Sequence, residues 1–493
     1  MSIAFTRESE LEAKFIDQLT KSTSQWTRRD DLRTQEDLWN NVREKINQNN
    51  LARLDGKPLT DAEFNQVRNK LTFANPYEAA GWMRGENGVA RVKVQREDAT
   101  QGDVYLEVMN SNNIAGGRSS YEVISQYEAD KMDGMDRNRR FDVTLLINGL
   151  PMIHIELKSA AVSYMEAFRQ IKKYQSEGKM KGIFSSVQMF VVTNGTDTRY
   201  IAAALGDNLR ETFLTTWVDV DNKPVNNYLA FAKEVLSIPQ AHKMVAHYSV
   251  IDESSKNILL LRPYQIHAIE AIQQASRNRE SGYVWHTTGS GKTLTSYKTA
   301  GNLYEIPSVD KSVFIVDRVD LDQQTTSSFE SYAAFDKTEI DSTANVSELI
   351  RKLKSNDRSV IVTTIQKLNH VMRRLEEDSK TKELITNKRI AFVVDEAHRA
   401  VTPQKQDEIN RFFKQNTMWF GFTGTPIFAE NARDAIGNLA RTTKEQYTQL
   451  LHQYTVKEAI HDKNVLGFQI HYLNFINEWE RDHFLEEFNP TLI

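Results

Sequence analysis

Hydrophobic positions along this chain fall into two regimes. In the first half they are periodic. Leu11, Phe15, Ile16 and Leu19 recur at helical spacing within residues 8–19. Further helix is predicted to about residue 72, interrupted at Asp55-Gly56-Lys57-Pro58. Val89, Val92 and Val94 alternate with Arg91 and Lys93, which predicts strands over about 89–108. Two β-rich runs, Phe141 to Ile147 and Met152 to Lys158, flank Asn148-Gly149, a dipeptide of tight hairpins. A helix through Ala167 to Tyr174 and a buried strand from Gln188 to Thr193 follow. Beyond residue 250 the pattern changes to short apolar runs separated by helical segments: Tyr283 to Trp285, Val313 to Val316, Val360 to Thr363, Ile390 to Val394 and Trp419 to Phe422. Such strands are buried on both faces, as in a parallel sheet covered by helices. The prediction is α/β throughout: a mixed α/β domain over residues 1–250, a parallel-sheet domain over 251–445, and the beginning of another over 446–493.

Length and composition narrow the class. The 493 residues hold about three domains. With 40% hydrophobic and 26% charged residues, the balance is that of a soluble globular protein. The net charge of −4 supplies no bulk basic field, so any nucleic-acid contact must come from local patches. There is no cysteine, which excludes disulfides, thiolate zinc sites and a cysteine nucleophile and fits a reducing cytoplasm. The residues after Met1 form no signal-peptide core, and no apolar run reaches about 18 residues, so no membrane contact is expected.

The sharpest chemical signal is His286-Thr287-Thr288-Gly289-Ser290-Gly291-Lys292-Thr293. It lies between the apolar run at 283–285 and a predicted helix from Leu294 to Tyr304. Strand, glycine-rich loop and helix make a phosphate-binding loop. Gly289 and Gly291 let successive N–H groups converge on an anion, and the helix N-terminus adds partial positive charge. Lys292 is placed to reach β- and γ-phosphates, and the Thr293 hydroxyl to hold Mg²⁺; Thr288 and Ser290 complete the loop. His286 stands where the general motif has glycine. Asp395-Glu396-Ala397-His398 follows the apolar run at 390–394, so its carboxylates fall at a strand's C-terminal tip, the usual ligand crevice of an open α/β sheet. There Asp395 is expected to hold Mg²⁺ and Glu396 to orient the attacking water, with His398 beside them.

A second constellation lies in the hairpin. Glu156 and Lys158 are two residues apart and share one face of their strand. Asp142 joins that face only if the connection has an odd residue count or a bulge; a strict two-residue turn puts it on the other face. Two carboxylates and a lysine on one patch suit metal-dependent phosphodiester cleavage, with Asp142 and Glu156 holding Mg²⁺ and Lys158 orienting water or stabilising developing charge. On spacing alone the same residues also suit a solvated strand rim. Gln170 and Tyr174 share a helix face four residues apart. Arg137, Arg139 and Arg140 precede the hairpin, and Lys172, Lys173, Lys179 and Lys181 follow it; both groups are candidate phosphate contacts or ordinary solvated faces.

The order of these motifs resembles a known family. Asp142…Glu156-x-Lys158 looks like the core of restriction-type nucleases, and Gln170-x-x-x-Tyr174 like the element that accompanies it in RecB-like nucleases. Arg262-Pro263-Tyr264-Gln265 is similar to the adenine-reading segment of superfamily 2 helicases, which points to Arg262 and Gln265. Val316 to Asp322 and Thr363 to Lys367 match segments that touch the DNA backbone, and Thr423-Gly424-Thr425-Pro426 one that couples nucleotide state to DNA movement. Together they resemble the restriction (R) subunit of type I restriction–modification enzymes, His286 included. The resemblance implies a restriction-endonuclease-like domain over 1–250, a RecA-like helicase lobe over 251–445 and the start of a second lobe over 446–493. It further implies ATP and Mg²⁺ as cofactors, ATP-dependent translocation of double-stranded DNA, cleavage away from the recognition site, and methyltransferase (M) and specificity (S) subunits as partners. A type III restriction or repair motor is the neighbouring enzymatic reading. The second-lobe motifs of that family, including the arginines that complete its ATP site, are missing before Ile493, so a fragment or truncated product is expected, one that binds nucleotide and DNA with negligible DNA-stimulated ATP hydrolysis.

Overall fold

The computed structural model describes residues 7–21, 24–98, 100–129, 139–303, 306–316, 331–332, 341–342, 345–356 and 360–462. Helix α1 (Glu8–Thr20) buries Leu11, Phe15, Ile16 and Leu19, the stripe that its spacing predicts. A short strand β1 (Thr27–Arg28) leads to α2 (Gln35–Asn49), α3 (Asp61–Lys70) and α4 (Pro76–Arg84). The starts of α2 and α3 are set by capping boxes, Thr34 with Asp37 and Thr60 with Glu63, which satisfy otherwise orphaned N–H groups. Strands β2 (Val89–Gln95) and β3 (Asp103–Asn110) pair antiparallel as a separate ribbon.

The sheet that positions the first candidate site comprises β1, β4 (Tyr121–Ala129), β5 (Arg139–Ile147), β6 (Leu150–Leu157), β7 (Met189–Thr193) and β8 (Thr198–Ala202), in the order β1-β4-β5-β6-β7-β8. The β6–β7 pair is parallel and is bridged by α5 (Tyr164–Ser176). Every residue of β6 is buried, so the usual in–out alternation is lost at the centre of the sheet. The β5–β6 turn is Asn148-Gly149, both at positive φ (52° and 81°), as a tight two-residue hairpin turn requires. The ladder pairs Ile147 with Leu150 and Leu146 with Pro151, then shifts, so that Val143 faces Ile155. That bulge restores the register in which Asp142 falls opposite Glu156.

Helices α6 (Tyr228–Val235) and α7 (Gln240–Ala246) and the hairpin β9 (Ser249–Asp252) with β10 (Asn257–Leu260) lead into α8 (Pro263–Arg277). A domain edge at residue 250 therefore cuts through β9. Leu261, Ile266 and Ile269 belong to the same hydrophobic cluster as Val143, Ile155 and Tyr174, so the N-terminal core continues into α8.

Among the described residues the second sheet comprises β11 (Gly282–His286), β12 (Lys311–Val316), β13 (Asp341–Ser342), β14 (Val360–Thr364), β15 (Ile390–Val394), β16 (Thr417–Thr423) and β17 (Leu450–Tyr454). Their order is β13-β14-β12-β15-β16-β11-β17, and every pairing is parallel. Helix α9 (Lys292–Asn302) follows β11. One expectation is corrected here. The segment from 446, read as opening a second lobe, supplies β17, which pairs with β11 as an edge strand of this sheet. Its burial is only partial until Tyr454, which is why its apolar pattern did not mark it as a strand of the same sheet. The expected second-lobe residues after 462 lie outside the described residues. Among the described residues no helix is long and apolar enough to cross a membrane.

Candidate nuclease patch and nucleotide site

The bulged register does what the hairpin pattern left open. Asp142 is 7% exposed, and its Oδ2 accepts a hydrogen bond from the Leu157 amide at 2.8 Å. Glu156 is wholly buried; its Oε1 lies 3.0 Å from His154 Nε2, and its Oε2 accepts from no N–H or hydroxyl among the described residues. Burial pushes both carboxyls well above the usual carboxylate range; for Asp142 the charge of Glu156 adds to it, whereas for Glu156 Lys158 and the hydrogen bond with Asp142 pull the other way. Lys158 is the opposing charge that lowers both. Its Nζ donates to Glu8 Oε1 at 3.3 Å and to the Leu157 carbonyl at 2.9 Å.

Helix α1 brings two acids that the sequence reading did not single out. Glu8 reaches Lys158, and Glu12 accepts from Gln126 Nε2 at 2.7 Å. Burial, followed by the charge of Asp142, pushes Glu12 up to about 7. The two are four apart on one helix face, but nothing in the local sequence says which sheet that face meets. His154 was also missed; the available signal is a polar residue at the centre of an otherwise apolar strand.

Gln170 and Tyr174 come together on α5. Gln170 Nε2 donates to the Tyr174 hydroxyl, which in turn donates to the Arg140 carbonyl at 2.9 Å. The Tyr174 ring is buried against Phe141 at 4.7 Å between centroids. The pair thus ties α5 to β5 two residues before Asp142. The basic groups divide. Arg140 pairs with Glu128 at 3.1 Å, Lys172, Lys173 and Lys181 are exposed, and Lys179 is buried, so it offers no surface charge to a phosphate. Arg137 and the Arg139 side chain lie outside the described residues.

At the second sheet the phosphate loop closes β11 onto α9. Gly289 and Gly291 take φ of 81° and 78°, the conformation an anion-facing loop needs. A Cβ on Gly291 would come within 2.9 Å of Gln265 Nε2. Ser290 Oγ donates to the Thr287 carbonyl at 2.7 Å. Lys292 is buried, with Nζ 4.0 Å from Glu396 Oε1 and 3.5 Å from the Thr287 carbonyl. Thr293 follows it as the second residue of α9. Asp395 ends β15 and accepts from the Glu396 amide at 3.0 Å; burial and then Glu396 push it up to about 6, against the pull of Lys292. Glu396 itself has a positive φ of 46°. His398 Nδ1 lies 2.9 Å from Thr423 Oγ1, and that same hydroxyl accepts from the Thr425 amide at 3.2 Å. A Cβ on Gly424 would meet the His286 carbonyl, Lys292 Nζ and Thr288 Oγ1 at 3.3–3.4 Å. The tips of β11, β15 and β16 therefore form one contiguous site.

Arg262 caps α8, and Gln265 is buried with its Oε1 accepting from the Arg262 amide at 2.9 Å. Its Nε2 stands 3.4 Å from the carbonyls of Ser290 and Gly291, so Gln265 braces the loop. Both residues border a cavity of about 650 Å³ with Gly289, Phe213, Tyr200 and Ile258. His286 is wholly buried, its Nε2 3.0 Å from His452 Nδ1 on β17. Tyr264 stacks on Tyr454 at 3.7 Å and donates to the Ser290 carbonyl at 2.6 Å. Thr364 caps the helix Ile365–Leu375, accepting from the Lys367 amide at 3.3 Å. The segment 317–322 lies outside the described residues.

A mixed sheet with a carboxylate–lysine patch, joined to a parallel sheet with a phosphate loop and strand-end acids, defines a restriction-nuclease-like domain coupled to a helicase-family ATPase lobe. Comparison with known proteins agrees. The family described as type I restriction enzyme R protein N terminus matches residues 5–208, and the SWI2/SNF2 ATPase family matches 264–489. The type I restriction enzyme SauMSSORF170P endonuclease subunit of Staphylococcus aureus is 34% identical over 473 residues, 96% of this chain and 48% of that protein. The SsaAORF53P subunit of Staphylococcus saprophyticus is 34% identical over 492 residues, 99% of this chain and 50% of that one. The C-terminal part of the type I restriction enzyme MpnIIP endonuclease subunit of Mycoplasma pneumoniae is 35% identical over 209 residues, covering 40% of this chain and 99% of that part. The chain belongs to the endonuclease (R) subunits of type I restriction enzymes, and it spans about half the length of its staphylococcal relatives.

Proposed function

We propose that the protein is the nuclease and motor part of a type I restriction enzyme, translocating double-stranded DNA with ATP and cutting it in a Mg²⁺-dependent reaction in concert with M and S subunits. The observation that carries the nuclease reading is the buried pair Asp142 and Glu156. Two acids are held together, hydrogen-bonded carboxyl to carboxyl, where burial opposes their ionisation, and Glu156 Oε2 accepts from no N–H or hydroxyl among the described residues. A divalent cation relieves both costs, so the residues present fit one. Asp142 and Glu156 would hold it, and when bound it supplies Lewis-acid polarisation of the phosphodiester and acidifies an attacking water. Lys158 orients that water or balances charge developing on the phosphate. Gln170 and Tyr174 steady β5 at the Arg140 carbonyl, and so the approach to Asp142.

In the motor lobe the amides around Gly289 and Gly291 cradle phosphates, Lys292 neutralises the β- and γ-phosphate charge, and Thr293 and Asp395 would hold Mg²⁺. Glu396, near Lys292 and His398, orients the hydrolytic water. His398 and Thr423 pass the state of that site to Thr423–Pro426. Arg262 and Gln265 border the pocket for the base.

The test is separation of activities in the full-length enzyme assembled with its partners. Asp142→Ala and Lys158→Ala are expected to abolish cutting and leave DNA-dependent ATP hydrolysis. Lys292→Ala is expected to abolish both on long DNA. Loss of ATP hydrolysis in Asp142→Ala would sink the assignment of two separate sites.

A further inference from the structure

We propose that His154, set by Thr144, is a positioning residue that turns the Glu156 carboxylate so that one oxygen is reserved for the divalent cation. The inference rests on the reading of Asp142 and Glu156 as cation ligands. Thr144 and His154 are direct cross-strand partners on β5 and β6. Thr144 Oγ1 and His154 Nδ1 are 3.0 Å apart, and His154 Nε2 and Glu156 Oε1 are also 3.0 Å apart. All three side chains are essentially buried, at 1%, 0% and 0% exposure. The imidazole is enclosed by Phe141 at 4.8 Å, Phe190 at 6.3 Å and Tyr174 at 6.4 Å.

That enclosure, with no exposure to water and three aromatic rings around the imidazole, selects the neutral ring. A neutral imidazole has one N–H to give. As a cation ligand Glu156 is a carboxylate and only accepts, so in that state the N–H sits on Nε2 and points at Oε1. Nδ1 is then left as an acceptor, and the Thr144 hydroxyl donates to it. The chain Thr144 Oγ1–H to Nδ1, then Nε2–H to Oε1, occupies one carboxylate oxygen and stabilises its charge. Oε2 accepts from no amide, hydroxyl or imidazole among the described residues, and the carboxyl hydrogen-bonded to Glu156 is that of Asp142, the other proposed ligand. The nearest acid, Asp142, has its own Oδ2 engaged by the Leu157 amide. A histidine that merely filled the core would not need this sequence of donors, and a leucine would fill the space at lower cost.

Mn²⁺ binding to the 493-residue chain by titration calorimetry, without nucleotide, tests the idea. An Asp395→Asn background removes the motor-lobe acid from the count. Removing an oriented partner of a metal ligand weakens binding about tenfold or more, which is the loss expected for His154→Leu. His154→Gln places an amide N–H near the former Nε2 and is expected to stay within about threefold of the parent. Equal losses in the Leu and Gln variants, or parental affinity in His154→Leu, would overturn the positioning role. Glu156→Gln separates the two levels: unchanged Mn²⁺ affinity there overturns the cation reading and this inference with it. Abolished affinity there, beside an intact His154→Leu, overturns only the inference. If His154→Leu does not fold by circular dichroism, Thr144→Val decides. Losing the hydroxyl frees the tautomer, so weaker Mn²⁺ binding supports the proposal and unchanged binding overturns it.

Discussion

Asp142 owes its place to a single extra residue in β6. A hairpin built only on the Asn148-Gly149 turn would pair Asp142 with Ile155 and put its carboxylate on the face away from Glu156. The shift between Leu145 and Leu146 in the ladder repairs that. Tyr174 acts at the same scale: its hydroxyl holds the Arg140 carbonyl while its ring lies on Phe141. Tyr174→Phe keeps the ring and removes the tether. The expected loss is about 1 kcal/mol in urea unfolding, the value of one buried hydrogen bond, together with slower cutting in the assembled enzyme. Full cutting activity in this variant would mean that Tyr174 serves packing alone.

Between elements, the decisive contact is that of β17 with the phosphate loop. Thr287 N donates to the Tyr454 carbonyl at 2.9 Å, Tyr454 stacks on Tyr264, and Tyr264 holds the Ser290 carbonyl. Truncating this buried ring in Tyr454→Ala is expected to cost about 3–5 kcal/mol and to weaken nucleotide binding, read by denaturant unfolding and by titration of a fluorescent nucleotide. Nucleotide affinity equal to the parent's would detach β17 from the loop's geometry. The His286–His452 contact adds a pH dependence. Burial holds His286 well below its usual pKa and His452 at about 4, with Lys292 and His267 as further positive neighbours. Both rings are neutral in the folded chain, whereas the unfolded chain takes up protons near pH 6.5. The unfolded state therefore binds more protons as pH falls through 6.5, and the folded state loses stability on the acid side. A non-titrating His286→Gln should show a smaller fall in unfolding free energy between pH 7 and pH 5 than the parent. Equal falls would show that His286 does not titrate differently in the two states.

Over the whole molecule, the N-terminal part and the parallel-sheet part share more than a linker. Leu261, Ile266 and Ile269 complete the N-terminal core, and the Tyr200 hydroxyl donates to the Leu261 carbonyl at 3.0 Å. A piece ended at residue 250 leaves the side chains they cover exposed to water. Such a piece is expected to melt several degrees lower and bind more hydrophobic dye than one extended through α8. Indistinguishable melting and dye binding would show that the domain edge is as clean as the apolar pattern suggests. The same continuity places the cavity bordered by Arg262 and Gln265 between Phe213 and Tyr200 of the N-terminal part and Gly289 of the loop.

What the sequence determined by itself was whatever is local. The phosphate loop, the Asp395–Glu396 pair, the parallel strands and the Asn-Gly hairpin are each written in consecutive residues, because turn geometry, strand burial and helix starts depend on neighbours a few positions away. The Glu156–Lys158 face and the Gln170–Tyr174 spacing were legible for the same reason. Tertiary structure alone decided the rest. The bulge that brings Asp142 to Glu156, the arrival of Glu8 and Glu12 from α1, the burial of Lys179 and the bracing role of Gln265 all depend on segments distant in sequence. So does the pairing of β17 with β11, in which Tyr283 meets Leu450 and His286 meets Tyr454 from far along the chain. A half-exposed edge strand carries little hydrophobic pattern of its own, and its partner is chosen by the open side of a sheet that exists only once the chain has folded.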